Sequence, residues 1–179
     1  MNLRKVKLSD LQELQVIGSE TYLDHYRYLW KPGGVDWYIN RCFGEEVLEK
    51  ELRDGNIEYN IIENAGENIG MMKIVLKKAL PNSDIENALY LEKIYFVSKW
   101  TGKGVGKETI EFVFRRAGEL GRDCVWLKAM DTSLKPIAAY ENAGFTIHSR
   151  AVLNNEFELM KEEFRGMVVM KNCFGGKGN

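Results

Sequence analysis

A strand, a glycine-rich loop and a helix follow one another between residues 90 and 107, and this order constrains the fold strongly. The apolar, aromatic-rich run 90–97 is typical of a strand. Gly102, Gly104 and Gly106 come next, and an amphipathic segment follows them. The first N–H groups of a helix lack intrahelical partners and carry the positive end of its dipole. The stretch therefore predicts an anion site, suited above all to phosphate.

Two common phosphate loops do not fit this spacing. A dinucleotide fingerprint, G-x-G-x-x-G, counted from Gly102 places Lys107 at its sixth position. A P-loop that ends at Gly106 and Lys107 requires glycine at Thr101 and a hydroxyl residue at Glu108. A nucleotide-phosphate enzyme is therefore the weakest interpretation of the glycines.

The pattern that remains resembles the pyrophosphate loop of the GNAT superfamily of acetyl-CoA-dependent N-acetyltransferases. That loop, [RQ]-x-x-G-x-[GA], falls on Thr101, Gly102, Lys103, Gly104, Val105 and Gly106. The glycines match, whereas Thr101 stands where arginine or glutamine is usual. A long donor is thereby lost beside the loop, and Lys103 and Lys107 are the nearby positive charges.

A second segment, 133–145, is similar to the family motif N-x-x-A-x-x-x-Y-x-x-x-G-F. It reads S-L-K-P-I-A-A-Y-E-N-A-G-F, with Ser133 in place of asparagine and Pro136 in place of alanine. The resemblance implies acetyl-CoA as co-substrate and no metal. The cofactor-binding residues it implies are Ile94, Phe96, Thr101, Gly102, Lys103, Gly104, Val105, Gly106, Lys107 and Ser133.

Acetylation of an amine requires one group that takes a proton and one that gives a proton. A primary amine of pKa about 10 is mostly protonated at pH 7. Glu92 is the candidate base, because strand periodicity places it with Ile94 and Phe96, where apolar neighbours would raise its pKa. Tyr140 is the candidate general acid for the departing thiolate. The resemblance to the family implies that the Phe96 N–H donates to the thioester carbonyl. The plainer alternatives are a Glu92 that pairs with a lysine and a Tyr140 that only packs.

The order of elements predicts an α/β (α+β) fold of one domain, residues 1–174. The elements give a mixed sheet of about seven strands, and the resemblance to the GNAT superfamily implies that this sheet is mostly antiparallel and twisted, with helices on both faces. Expected elements include an edge strand at 3–7, one long helix at 35–53, a hairpin of 57–62 with 69–76 joined by a turn of four to six residues, and final strands at 145–153 and 163–171. The strand 90–97, the helix after the glycines and the run 124–127 form a right-handed βαβ unit. Residues 175–179 are expected to be a disordered tail.

Composition excludes several other classes. The formal charge is −1 and the isoelectric point is about 6.2, which does not indicate a nucleic-acid or anionic-membrane surface. Cys42, Cys124 and Cys173 include no C-x-x-C pair, so neither a disulfide framework nor a zinc site is predicted. The expected location is the reducing cytoplasm. A homodimer is expected only because the family often forms one.

The acceptor is predicted to be a small-molecule amine. Three blocks resemble the bacterial spermidine/spermine N-acetyltransferases: F-G-E-E-V-L-E-K-E-L, L-E-K-I-Y-F, and W-L with the later A-Y-E-N-A-G-F. A polyamine is therefore the first acceptor, and Glu20, Asp24 and Asp36 near an aromatic-rich loop are candidates to hold its charge. Protein N-terminal or lysine amines are an alternative acceptor, and a non-catalytic acetyl-CoA sensor is an alternative function.

Overall fold

A computed structural model describes residues 1–174, and a seven-stranded sheet runs through them. Its order is β1-β2-β3-β4-β5-β7-β6. The strands are β1 (Asn2–Lys5), β2 (Ile57–Asn64), β3 (Glu67–Val75), β4 (Ala88–Phe96), β5 (Cys124–Met130), β6 (Thr146–Val152) and β7 (Gly166–Cys173). Residues 175–179, predicted to be a disordered tail, lie outside the described part of the chain.

Helices cover both faces of this sheet, as the sequence predicts. They are α1 (Leu11–Tyr26), α2 (Gly34–Phe43), α3 (Glu45–Arg53), α4 (Val105–Glu119) and α5 (Leu134–Asn142). On one face, Ile110 and Val113 of α4 are buried against the sheet. On the other face, Leu14 of α1, Phe43 of α2 and Leu48 of α3 form a second core. Among these helices, none is long and apolar enough to cross a membrane.

The pairing of β4 with β5 is parallel, whereas the other neighbouring strands are antiparallel. It joins only residues 88–91 to residues 124–127, so the last five residues of β4 have no partner on β5. The two strands separate beyond Leu91. This separation creates the space in which the candidate active site lies.

Two local predictions differ from the structure in the first half of the chain. The long helix expected at 35–53 is two helices, because Gly44 is extended (φ −61°, ψ 144°) and interrupts the helical hydrogen bonds. The β2–β3 turn has two residues rather than four to six. Ala65 and Gly66 both have positive φ, 50° and 81°, as a tight hairpin turn requires.

The cysteines also differ from their prediction. Cys124 and Cys173 face each other on β5 and β7 and form a disulfide, whereas Cys42 is free. The 49-residue separation gives no local sequence signal, and only the β5–β7 register brings the two thiols together. The expectation of no disulfide is therefore wrong for this pair.

Candidate active site

The glycine loop begins α4 with free amide groups. β4 ends at Phe96, and α4 begins at Val105 after a loop in which Gly102 and Gly104 adopt positive φ of 75° and 86°. Glycine adopts such angles without a steric penalty. Within residues 1–174, the amides of Val105 and Gly106 donate to no backbone carbonyl. The helix start is thus arranged as an anion site, with its dipole adding to the attraction.

This loop forms one wall of a cavity of about 1090 Å³ between β4, α4 and α5. We call it the cofactor cavity. Most of the predicted cofactor-binding residues line it: Ile94, Phe96, Thr101, Gly102, Val105, Gly106 and Lys107. Lys135 and His25, which the sequence did not single out, line it too.

Three predicted cofactor residues lie elsewhere. Lys103 and Gly104 belong to the loop but are not part of the cavity wall. The Lys103 ammonium lies 4.8 Å from the centre of the Trp100 ring, a cation–π contact. Ser133 lines the neighbouring cavity instead.

The residues of the cofactor cavity fit acetyl-CoA. A phosphate binds to free amide groups at a helix start and to positive charge. Lys107 and Lys135 supply the positive charge at the cavity wall. Gly106 lines the cavity, and a Cβ atom there would be 3.9 Å from the Phe96 ring, an ordinary van der Waals contact. Within the described chain, no group of three or more metal-ligating side chains is present.

The backbone of β4 adds polar groups to the cofactor cavity. Val97 N–H donates to the Ile69 carbonyl, and antiparallel pairs alternate between bonded and non-bonded positions. Phe96, opposite Gly70, is therefore at a non-bonded position, and its N–H and C=O point away from β3. The Phe96 carbonyl already contacts His25 Nε2 at 2.8 Å.

A second cavity, of about 630 Å³, adjoins the first, and we call it the acceptor cavity. Aromatic rings form much of its wall, including those of Tyr22, Tyr38 and Tyr90. The two cavities share a boundary formed by Tyr26, Ile94, Tyr95, Pro136 and Tyr140. A group on this boundary can reach molecules in both cavities.

Tyr140 lies on that boundary with an available hydroxyl group. It projects from α5, its ring packs edge-on against Phe145, and burial raises its pKa well above 10. Within residues 1–174, its hydroxyl has no hydrogen-bond partner. By contrast, Tyr22 accepts from the Trp30 indole, and Tyr38 contacts the Tyr95 hydroxyl at 3.3 Å.

Tyr26 is a candidate that sequence reasoning did not assign a role. It also lines both cavities, and its proximity contributes to the raised pKa of Tyr140. It appeared in the sequence only as one member of an aromatic-rich loop. Nothing in its spacing from Tyr140 indicated that α1 and α5 would bring the two phenols together.

Glu92 lies in the acceptor cavity, on a different face of β4 from the predicted one. The β3–β4 register shifts between Lys73 and Ile74, which pair with Lys93 and Leu91, so Glu92 has no partner on β3. Such a bulge interrupts the alternation of side chains. Glu92 therefore contacts Lys73, on the α1–α3 side, whereas Ile94 and Phe96 pack with α4.

The predicted rise in the pKa of Glu92 is also wrong. Burial does raise it, but the charges of Lys93 and Lys73 and their hydrogen bonds outweigh burial and lower the pKa to about 2. The carboxylate accepts from Lys93 at 2.6 Å and from Lys73 at 2.8 Å. Lys73 also binds Glu51 at 2.7 Å. Two carboxylates thus balance two buried ammonium groups beside the cavity.

The acidic residues expected to hold a cationic acceptor do not line either cavity. Glu20, Asp24 and Asp36 are all exposed. Asp24 instead accepts from the backbone N–H and hydroxyl of Ser98. The expectation that they line the acceptor site is therefore wrong. The face of α1 that carries Glu20 and Asp24 points to solvent.

Comparison with known proteins agrees with this geometry. The model of the acetyltransferase (GNAT) family matches residues 21–145. An uncharacterized N-acetyltransferase in the pepI 3′ region of Lactobacillus delbrueckii subsp. lactis is 24% identical over 148 residues, which are 83% of this chain and 86% of that protein.

Solved structures share the fold. The PaiA N-acetyltransferase of Thermoplasma acidophilum, in complex with coenzyme A, has a TM-score of 0.75 and 16% identity, over 97% of this chain and 98% of that one. A chimera of spermidine N-acetyltransferase SpeG from Vibrio cholerae and hSSAT has a TM-score of 0.66 and 18% identity, over 96% and 94%.

Proposed function

The chain belongs to the acetyltransferase (GNAT) family, and we propose that it transfers the acetyl group of acetyl-CoA to the primary amine of a small molecule, with Tyr140 as general acid and Glu92 as base. It is an acyltransferase, and acetyl-CoA is its co-substrate. The observation that carries the proposal is the position of Tyr140. Its unpaired hydroxyl lies where the cofactor cavity meets the acceptor cavity.

Acetyl-CoA, when bound, supplies an acetyl group on a thioester. The helix start at Val105 and Gly106, with Lys107 and Lys135, would hold its phosphates. The Phe96 N–H, which points away from β3, would donate to the thioester carbonyl and stabilise the negative charge that develops there. Tyr140 would give its proton to the departing sulfur, because its raised pKa keeps the phenol protonated at every working pH.

The acceptor has to lose a proton before its nitrogen attacks. Glu92 is ionised at every working pH and would receive the proton directly or through a water molecule. A carboxyl of pKa about 2 is a weak base, which limits the rate gain that Glu92 can contribute to this step.

A polyamine is the acceptor that the sequence resemblance implies, and spermidine is named for the SpeG structures that share the fold. Spermidine is therefore one of the first amines to assay. A protein that only binds acetyl-CoA has no use for an unpaired phenol between two cavities, which makes the sensor alternative the less supported one.

The test is thiol release by the purified protein with acetyl-CoA and a panel of amines, repeated with Tyr140→Phe. We expect kcat to fall by about 100-fold or more, because a positioned general acid contributes about 10²- to 10⁴-fold. The KM for acetyl-CoA should change little. Tyr26→Phe tests the rival phenol, and the larger loss identifies the acid.

Tyr28→Phe serves as the matched control, since Tyr28 is exposed and lies outside both cavities. It should leave kcat unchanged. Unchanged turnover in Tyr140→Phe would remove Tyr140 from the mechanism.

A further inference from the structure

The acceptor cavity carries more positive than negative side chains. The positive side chains of its lining are Arg41, Lys78, Lys93 and Lys128, and the negative ones are Glu92 and Glu156. Two of the cations are already paired: Lys93 with Glu92 at 2.6 Å and Arg41 with Glu156 at 2.8 Å. Lys78 and Lys128 remain.

Within residues 1–174, neither Lys78 nor Lys128 has a carboxylate within 4 Å. Lys73, behind the cavity wall, does not alter this balance because Glu51 and Glu92 both bind it. Both side chains are exposed, and they are the positive charges of the cavity wall that have no carboxylate partner among these residues.

Both lysines lie on the same side of the sheet as Glu92. The Lys78 ammonium is 4.6 Å from the centre of the Tyr90 ring, and the Trp126 indole donates to the Lys78 carbonyl at 2.9 Å. Tyr90 and Trp126 are paired across β4 and β5. Lys128 follows Trp126 by two residues on β5 and therefore points to the same face. Both lysines thus line the acceptor cavity from the face of the sheet that also carries Glu92.

We propose that the acceptor amine also carries an anionic group, a carboxylate or a phosphate, which Lys78 and Lys128 bind. The inference rests on the proposed function, because it assigns a substrate class to the same acceptor cavity. An ammonium bound to an anion forms a charge-assisted hydrogen bond, which is about twice as strong as a neutral one. A polyamine would instead place several positive charges beside two unneutralised lysines.

The cavity thus favours molecules such as a free amino acid, a short peptide with its carboxylate nearby, or a phosphorylated amino alcohol. The aromatic rings of Tyr22, Tyr38 and Tyr90 provide an apolar surface for the rest of the molecule. An acceptor of this kind presents an amine toward Tyr140 and an anion toward the two lysines.

The experiment compares amines that differ only in the anion. One arm sets L-amino acids against their C-terminal amides, a second sets O-phosphoethanolamine against ethanolamine, and spermidine is the polycationic comparison. Thiol release gives kcat/KM for each amine. Calorimetry with the CoA-saturated protein gives the affinity of each amine without any turnover.

We expect kcat/KM and affinity to be about 10- to 100-fold higher for the anionic member of at least one pair, the range that one hydrogen bond to a charged group supplies. Lys78→Gln and Lys128→Gln should each remove most of that preference through KM or the dissociation constant, while the neutral amine is affected little. Lys77→Gln is the matched control, because Lys77 is the neighbour of Lys78 and is exposed like it, but does not line the cavity.

The outcomes separate this inference from the proposed function. Lysine-dependent binding of an anionic amine without thiol release would support the charge assignment and refute acetyl transfer to that amine. Thiol release with spermidine or with the neutral amines at equal or higher kcat/KM would support acetyl transfer and overturn the charge assignment. A preference that Lys78→Gln and Lys128→Gln both leave intact would overturn it too, as would the absence of any preference in either pair.

Discussion

Replacement of Glu92 by glutamine should lower the free energy of unfolding markedly, because Glu92 pairs with two buried lysines. The side chains of Lys73 and Lys93 are only 4% and 8% exposed, and Glu92 itself is 22% exposed. Glutamine keeps the size of the side chain but leaves Lys93 buried without its carboxylate. Removal of one partner from a buried ion pair costs about 3–5 kcal/mol.

The pKa of Glu92 gives an independent magnitude. It falls from an ordinary 4.5 to about 2 on folding, and each pKa unit corresponds to about 1.36 kcal/mol, so ionised Glu92 stabilises the folded state by about 3 kcal/mol. Because the folded pKa is the lower one, this contribution is complete above about pH 4.5 and is lost as the pH falls toward 2. At pH 3 about half of it should remain.

Urea denaturation of the wild type and of Glu92→Gln at pH 7 and at pH 3 tests both magnitudes. The difference in unfolding free energy should be about 3 kcal/mol at pH 7 and roughly half that at pH 3. Glu156→Gln is the matched control, since its pair with Arg41 is 56% and 45% exposed and such pairs contribute about 0–1 kcal/mol. A difference below about 1 kcal/mol at pH 7, or one that does not change with pH, would refute the reasoning.

The same variant tests the proposed base. If Glu92 receives the acceptor's proton, turnover by the folded variant should fall most near pH 7. It should recover partly near pH 10, where the amine is deprotonated in bulk water. A loss that is equal at both pH values would leave Glu92 with only its structural ion pairs.

Two further variants test other parts of the structure. Gly106→Val should raise the KM for acetyl-CoA by about tenfold or more with little change in unfolding free energy, because the first side-chain atom has room and the rest enters the cofactor cavity. Gly118→Val on the same helix is its control, and equal KM values in the two would contradict this placement of the phosphates. Cys173→Ser should lower the unfolding free energy by up to about 4 kcal/mol in the loop-entropy model for a 49-residue separation. A reductant should lower the unfolding free energy of the wild type by the same amount and leave that of the variant unchanged. Cys42→Ser should behave as wild type, because Cys42 is free. If a reductant left the wild type unchanged, the disulfide would be excluded in solution.

Local patterns predicted the parts of the fold that local chemistry determines. The glycines between β4 and α4, the apolar stripe of α4 and the β2–β3 hairpin all follow from spacing that is visible in the sequence. Glu92 shows where this reasoning fails. Its face depends on a bulge in the β3–β4 register, and its pKa depends on two lysines, one of which lies 19 residues away along the chain.

The lysines of the acceptor cavity show the same limit. Lys78 precedes β4, and Lys128 lies on β5, so their association depends on how these segments pack beside the acceptor cavity. Neither residue belongs to a motif, and each alone resembles an ordinary surface lysine. A sequence-based search for charge around the aromatic-rich loop therefore selected Glu20, Asp24 and Asp36, which are close in sequence and outside the cavity.

The short pairing of β4 with β5 gives the middle of the sheet an edge of its own. Beyond Leu91, the backbone of β4 on its β5 side has no strand beside it in the described chain, and an unpaired edge normally invites another strand to add. Here Ile94, Tyr95 and Phe96 of this edge line the cofactor cavity. A ligand whose own amide groups bonded to this edge would complete the ladder in place of a strand, and it would protect the amide hydrogens of Ile94 and Phe96 from exchange with solvent.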